Sequence, residues 1–130
     1  MKEKYDVPIA PQSKFVSYMT EQMSHFGLPC TEEQAKDFYL YYARMIETNK
    51  YLNLTGITDM KEVVVKHMID SLSCYDPEII KSGMSIIDVG TGAGLPGIPL
   101  AIYDRSLKVT LFDSLKKRLN FLESVIDELK

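Results

Sequence analysis

The stretch MSIIDVGTGAGLPGIPLAIYDRSLKVTLFD, Met84 to Asp113, decides how this chain folds. Met84-Ser85-Ile86-Ile87-Asp88-Val89 is a short apolar run with β-branched residues, bounded by Gly83 and Gly90, and predicts a strand. A helix is expected to open near Leu95 or Pro96, because proline is well tolerated in a first helical turn. Leu107 to Phe112 predicts a second strand, ending at Asp113. Beyond it, Ser114 can cap a last helix whose apolar face is Leu115, Leu119, Leu122, Ile126 and Leu129. Strand, helix and strand within about 30 residues form a βαβ unit, which implies parallel strands and a right-handed crossover.

Upstream of this unit the apolar period is helical. Phe15, Met19, Met23 and Phe26 fall on one stripe of a helix expected over Gln12 to Phe26, with Gly27 as its stop. After Pro29, Thr31 and Gln34 form a capping-box pattern. The helix they open buries Ala35, Phe38, Tyr42, Met45 and Ile46 and runs to about Thr48. Asn49 to Thr58 breaks the period and reads as a loop, and Asp59 with Glu62 can cap a third helix through Val63, Val64, Met68, Ile69 and Leu72. The chain thus divides into a helical segment, residues 1–82, and a strand-containing segment, residues 83–130.

Asp88-Val89-Gly90-Thr91-Gly92-Ala93-Gly94 carries the chemical signal. Spaced glycines directly after a strand let the backbone turn sharply and let a ligand approach closely. The N-terminus of the following helix is expected to face the same place and to favour a carboxylate or phosphate. Asp113 lies 23 residues after Gly90, at the end of the neighbouring strand, where its carboxylate can accept hydrogen bonds from both ribose hydroxyls of a nucleoside. Gly92, Gly94 and Gly97 also satisfy G-x-G-x-x-G, so a dinucleotide is a rival ligand. Asp88 beside the loop would repel a pyrophosphate, whereas the ammonium of an α-amino acid tolerates it, and this favours S-adenosylmethionine.

Composition bounds the answer. The 130 residues carry 15 basic and 18 acidic side chains, a net charge of -3, which excludes a strongly basic nucleic-acid binder but not a local basic patch. Residues 1–82 hold 9 basic and 12 acidic groups and residues 83–130 hold 6 of each, so the helical segment carries the net charge. Lys116, Lys117 and Arg118, with Arg105 and Lys108, are candidates for a small patch, although the acids that follow on the same helix favour a plain solvated face. No apolar run is long enough to span a bilayer, and the start of the chain lacks the apolar core of a signal peptide. Two cysteines without a CxxC motif indicate neither a disulfide framework nor a zinc site. A cytoplasmic protein with no metal and no membrane partner is expected.

Four motifs in order make a family resemblance specific. IIDVGTGAGLPGIPLAI (Ile86 to Ile102) and VTLFDSLKKRLNFL (Val109 to Leu122) closely resemble the bacterial small-subunit rRNA methyltransferase G family, also called glucose-inhibited division protein B. YLNLTGITD (Tyr51 to Asp59) and KHMIDSL (Lys66 to Leu72) match it upstream, so the resemblance covers about Thr31 to the end. It implies an α/β fold, a helical segment followed by the first βαβα part of a Rossmann-like methyltransferase sheet, incomplete at its C-terminus. It implies methyl transfer from S-adenosylmethionine to N-7 of a guanine in 16S rRNA, with the small ribosomal subunit as substrate; the charge count makes weak RNA binding by this chain alone the expectation. It places Gly90, Thr91, Gly92, Gly94 and Leu95 around the methionine portion of the cofactor and Asp113 and Ser114 at the ribose and adenine side. Asn53, His67 and Asp70 would line the site from the helical segment, His67 and Asp70 on one helix face; structural roles compete for all three. No catalytic residue is nominated. A nicotinamide-dependent oxidoreductase and a non-catalytic binding module are the alternatives.

Overall fold

The computed structural model describes residues 7–129. Helix α1 (Gln12–Phe26) ends where Gly27 adopts a left-handed conformation and donates its N–H to Met23 and Ser24 carbonyls. Phe15, Met19 and Met23 are buried as their spacing predicts, but Phe26 is 43% exposed. The chain reverses at Gly27, and Leu28, whose N–H bonds the Met23 carbonyl, packs on the core in its place. Helix α2 (Glu32–Asn49) opens with the expected capping box: Thr31 Oγ1 accepts from Gln34 N–H at 3.1 Å and Gln34 Oε1 from Thr31 N–H at 2.9 Å.

The third helical stretch is not a regular α-helix. Short helices α3 (Met60–Glu62) and α4 (Asp70–Leu72) flank a π-helical segment, Val63–Ile69. Buried Val63 and Val64 stand five residues before buried Met68 and Ile69. A π-turn bonds i to i+5, so it stacks these two pairs on one face.

Strands β1 (Ser85–Val89) and β2 (Lys108–Phe112) pair in parallel, Ser85 opposite Lys108 and Val89 opposite Phe112. Helix α5 (Gly97–Tyr103) joins them, opening after a cis Leu95–Pro96 bond, slightly later than the proline signal suggests. Helix α6 (Lys116–Leu129) follows β2. Its buried face is Phe121, Leu122 and Val125, while Leu115 and Ile126 are each 42% exposed, which corrects the stripe expected from spacing. The reason is rotational: α6 packs chiefly on α2, and that contact turns the helix so that Phe121 and Val125 face inward. One cluster of buried side chains runs from Phe15 on α1 to Val125 on α6 and ties the helices to the βαβ unit. On the sheet, Ile86, Asp88, Val109 and Leu111 are half-buried, whereas Ile87, Val89 and Phe112 on the other face are exposed.

Candidate functional site

The chain leaves β1 in a glycine loop anchored to the end of β2: Gly90 and Thr91 both donate their N–H to the Phe112 carbonyl, each at 2.9 Å. Gly90, Gly92 and Gly94 have φ of +71°, +59° and +102°, a region that L side chains rarely adopt. Open space and packing separate the glycines into two kinds. A Cβ at Gly90 or Gly92 would meet no protein atom within 4 Å. A Cβ on Gly94 would lie 2.6 Å from Ile98 Cδ1 and 3.0 Å from Leu122 Cδ2, and one on Gly97 would strike the Leu111 side chain. The first kind leaves room for a ligand against the backbone; the second lets α5 sit on the sheet.

Asp88 holds this turn from within. Its Oδ2 accepts from the buried Thr91 hydroxyl at 2.6 Å and from Gly97 N–H at 3.0 Å. Ile98 and Leu100 N–H groups bond the Gly94 and Pro96 carbonyls, and residue 99 is a proline. The first turn of α5 therefore has no N–H to offer, and the anion site expected at this helix end is filled by the protein's own carboxylate. A carboxylate two residues before the loop glycine can fold back onto a helix terminus that itself attracts negative charge. Leu95, half-buried, continues the turn with its N–H on the Thr91 carbonyl at 3.1 Å.

Asp113 stands across from Gly92. Its Oδ2 accepts from Gly92 N–H at 2.9 Å, its Oδ1 from Leu115 N–H at 2.9 Å, and Arg118 Nη1 lies 3.5 Å away. These donors, the Leu115 N–H first, then Gly92 N–H and the Arg118 charge, hold its carboxyl below the ordinary range. The Asp113 carboxylate, rather than the Ser114 hydroxyl, thus takes the free N–H that precedes α6, a correction to the cap expected there. Val89, Gly90, Phe112, Asp113 and Ser114 line a depression of about 370 Å³ at this end of the strands. A carboxylate with each oxygen already holding a loop N–H, its side chain only 4% exposed, thus stands beside an open glycine backbone in a hollow of ligand size.

Residues 34–130 match the protein family described as rRNA small subunit methyltransferase G. The chain belongs to this family. It is 44% identical over 111 residues to the ribosomal RNA small subunit methyltransferase G of Leuconostoc mesenteroides, covering 84% of this chain and 46% of that protein. The protein of the same name from Clostridium botulinum is 43% identical over 116 residues, 89% of this chain and 48% of the relative. For that of Thermoanaerobacter sp. the identity is 47% over 118 residues, 91% and 49%. The chain spans about half the length of the curated relatives it matches. Membership does not favour the oxidoreductase alternative.

In this member of the methyltransferase G family, the glycine loop leans on the helical segment through Tyr41, which spacing alone did not single out. Its hydroxyl is buried and donates to the Ala93 carbonyl at 2.6 Å, and burial pushes its pKa well above the ordinary tyrosine value. A phenol aimed at a loop from an otherwise apolar helix face leaves no sequence signal. Tyr41→Phe strands that carbonyl without a donor, at a cost of about 1–3 kcal/mol. The expected result is a lower thermal midpoint by circular dichroism; an unchanged midpoint would show that the contact contributes nothing.

The upstream motifs organise the loop after α2. Buried Asn49 accepts from Leu54 and Thr55 N–H through Oδ1, at 2.7 and 3.1 Å, and donates to the Thr55 carbonyl at 3.0 Å. Thr55 Oγ1 meets His67 Nε2 at 2.7 Å. The loop anchor is thus Asn49, while Asn53, expected to line the site, is exposed. Asp70 is exposed too and acts on half-buried His67 only by its charge; the π-turn between them has widened the face they were expected to share. None of Asn53, His67 and Asp70 lines the depression at Asp113.

Burial lowers the His67 pKa below 6.5, against weaker raising effects from the Lys66 backbone and Asp70. The unfolded chain therefore binds this proton more readily. Its contribution to stability is complete above pH 6.5 and is lost as pH falls through the folded pKa. His67→Gln is expected to flatten that part of a stability–pH curve measured in urea; an unaltered slope would assign it to other groups.

The basic residues do not form one patch. Arg105 bonds Asp37 at 2.6 Å and the Leu129 carbonyl at 3.0 Å, and Lys108 begins β2, whereas Lys116, Lys117 and Arg118 lie past its other end. Among the described residues no cluster of His, Cys, Asp or Glu could hold a metal ion, and no helix is long and apolar enough to cross a membrane.

Proposed function

We propose that this chain carries the S-adenosylmethionine half-site of an enzyme that methylates N-7 of a guanine in the 16S rRNA of the small ribosomal subunit, in the cytoplasm. The observation that carries the reading is the open backbone of Gly90 and Gly92 beside the Asp113 carboxylate. Residues 83–130 form the cofactor-binding segment and residues 1–82 its helical support. Asp113 would accept from the ribose hydroxyls, with Ser114 on the adenine side; Gly90 and Gly92 would border the methionine portion, and Thr91, Gly94, Leu95 and Asp88 would keep the turn behind them in shape. S-adenosylmethionine, when bound, supplies an electrophilic methyl group on a sulfonium that leaves readily. Guanine N-7 has a free lone pair at neutral pH, so the protein need remove no proton before attack. Its work is to align the reacting atoms and exclude competing geometries. The absence of an acid–base pair from the motifs is consistent with that chemistry.

The test is a thermal melt with S-adenosylhomocysteine, using NAD as control. An upward shift with S-adenosylhomocysteine alone is expected, since a ligand that binds only the folded state raises its stability. A shift with NAD alone would replace the reading with the dinucleotide one. No shift with either would remove the cofactor half-site from this chain.

A further inference from the structure

A groove of about 440 Å³ separates α2 from α6, and Arg44, Thr48, Tyr51, Lys117, Asn120 and Ser124 line it. An Arg44–Glu128 ion pair joins the two walls toward the C-terminal end of α6. Lys117 marks the other end, in the first turn of α6 and four residues from Asp113. Arg118, the next residue, reaches Asp113 at 3.5 Å, which puts this end of the groove toward the depression described above.

Tyr51 is 80% exposed, the most exposed large apolar or aromatic side chain among the described residues. It adds little to the core and presents its ring to solvent at a groove whose walls also carry Leu52 and Phe121. Among the described residues, Lys117 and Asn120 have no side-chain hydrogen bond or ion pair. An aromatic face, a free ammonium and a free amide, which can both donate and accept, are the three groups that hold an unpaired nucleotide: one stacks the base, one meets the phosphate and one reads a base edge. From Lys117 to Ser124 the helix advances about 10 Å, room for one or two nucleotides. An acidic peptide would call for several free cations, and Arg44 is already matched by Glu128.

We infer that the α2–α6 groove, with Tyr51 and Lys117 at its working end, docks a single-stranded segment of RNA beside the methyl-transfer site. The inference rests on the proposed function for the identity of the substrate, and its chemistry can be tested separately. The chain has no tryptophan, so Tyr51→Trp introduces a lone indole at the stacking position. A short single-stranded oligoadenylate is expected to quench that indole, and heparin, a polyanion without bases, to leave it bright. In anisotropy titrations with the labelled oligoadenylate, Tyr51→Ala should weaken binding about tenfold. Lys117→Gln should lower the log–log salt slope by about 0.7.

Absent quenching, equal quenching by heparin, displacement of the oligoadenylate by polyglutamate at equal charge, or full affinity in Tyr51→Ala each overturns the inference. Calorimetry with S-adenosylhomocysteine on the same proteins separates it from the proposed function. Cofactor binding without indole quenching removes the RNA groove alone. Quenching without cofactor binding keeps the groove and removes the cofactor half-site.

Discussion

Asp113→Ala is expected to weaken S-adenosylhomocysteine binding about 100-fold, because two hydroxyl-to-carboxylate hydrogen bonds go at once. Isothermal titration calorimetry reads this directly. The substitution also removes the acceptor for Gly92 and Leu115 N–H, so Asp113→Asn serves as its partner. The amide keeps the shape and one acceptor oxygen but loses the negative charge and replaces the other oxygen with a donor, so its affinity should fall between those of the parent and Asp113→Ala. Ser114→Ala, which disturbs no hydrogen bond described for Asp113, should cost far less. If Asp113→Ala binds as the parent does, the ribose contact is wrongly assigned and the carboxylate is only a loop anchor. The low carboxyl pKa makes the anchor resistant to acid: the group's contribution is present above the ordinary carboxyl range and is lost only as pH falls through the depressed folded value.

Gly94→Ala is expected to be the most destabilising change in the loop. The added methyl meets Ile98 and Leu122 in a closed space, on a backbone with φ of +102°. Left-handed strain and overpacking each cost of order 1–3 kcal/mol, so about 3 kcal/mol together is expected. For a chain of this length that lowers the thermal midpoint by about 10 °C. Gly92→Ala is the contrasting case. Its φ of +59° is the milder left-handed position and its Cβ would face open space, so stability should fall by only about 1 kcal/mol. The cost would appear instead as weaker S-adenosylhomocysteine binding, since the methyl would occupy space offered to the ligand. Equal losses of stability in the two variants would contradict the division of the glycines into ligand-facing and packing kinds.

Much of this was legible in the sequence. The capping box at Thr31 and Gln34 and the stop at Gly27 depend on neighbours within a few residues, and they form as their pattern predicts. So do the two strands, whose apolar runs end at glycine and at Asp113, and the parallel pairing that a helix between them imposes. The family, too, could be read from ordered motifs. Tertiary contacts decided the rest. Whether Asp88 turns toward a ligand or onto the N–H of Gly97 depends on where α5 comes to rest. That Asn49 rather than Asn53 holds the loop, and that Tyr41 reaches Ala93, depends on which side chains α2 presents to elements distant in the chain. Phe121 replaces Leu115 in the core because α6 rests on α2, and helical period alone cannot say which rotation that contact selects. Local backbone preferences act over a turn or two and are written in the nearby residues. A buried hydrogen bond or a packed face is chosen by the pairing of distant segments, where a polar group must find a partner once water is excluded.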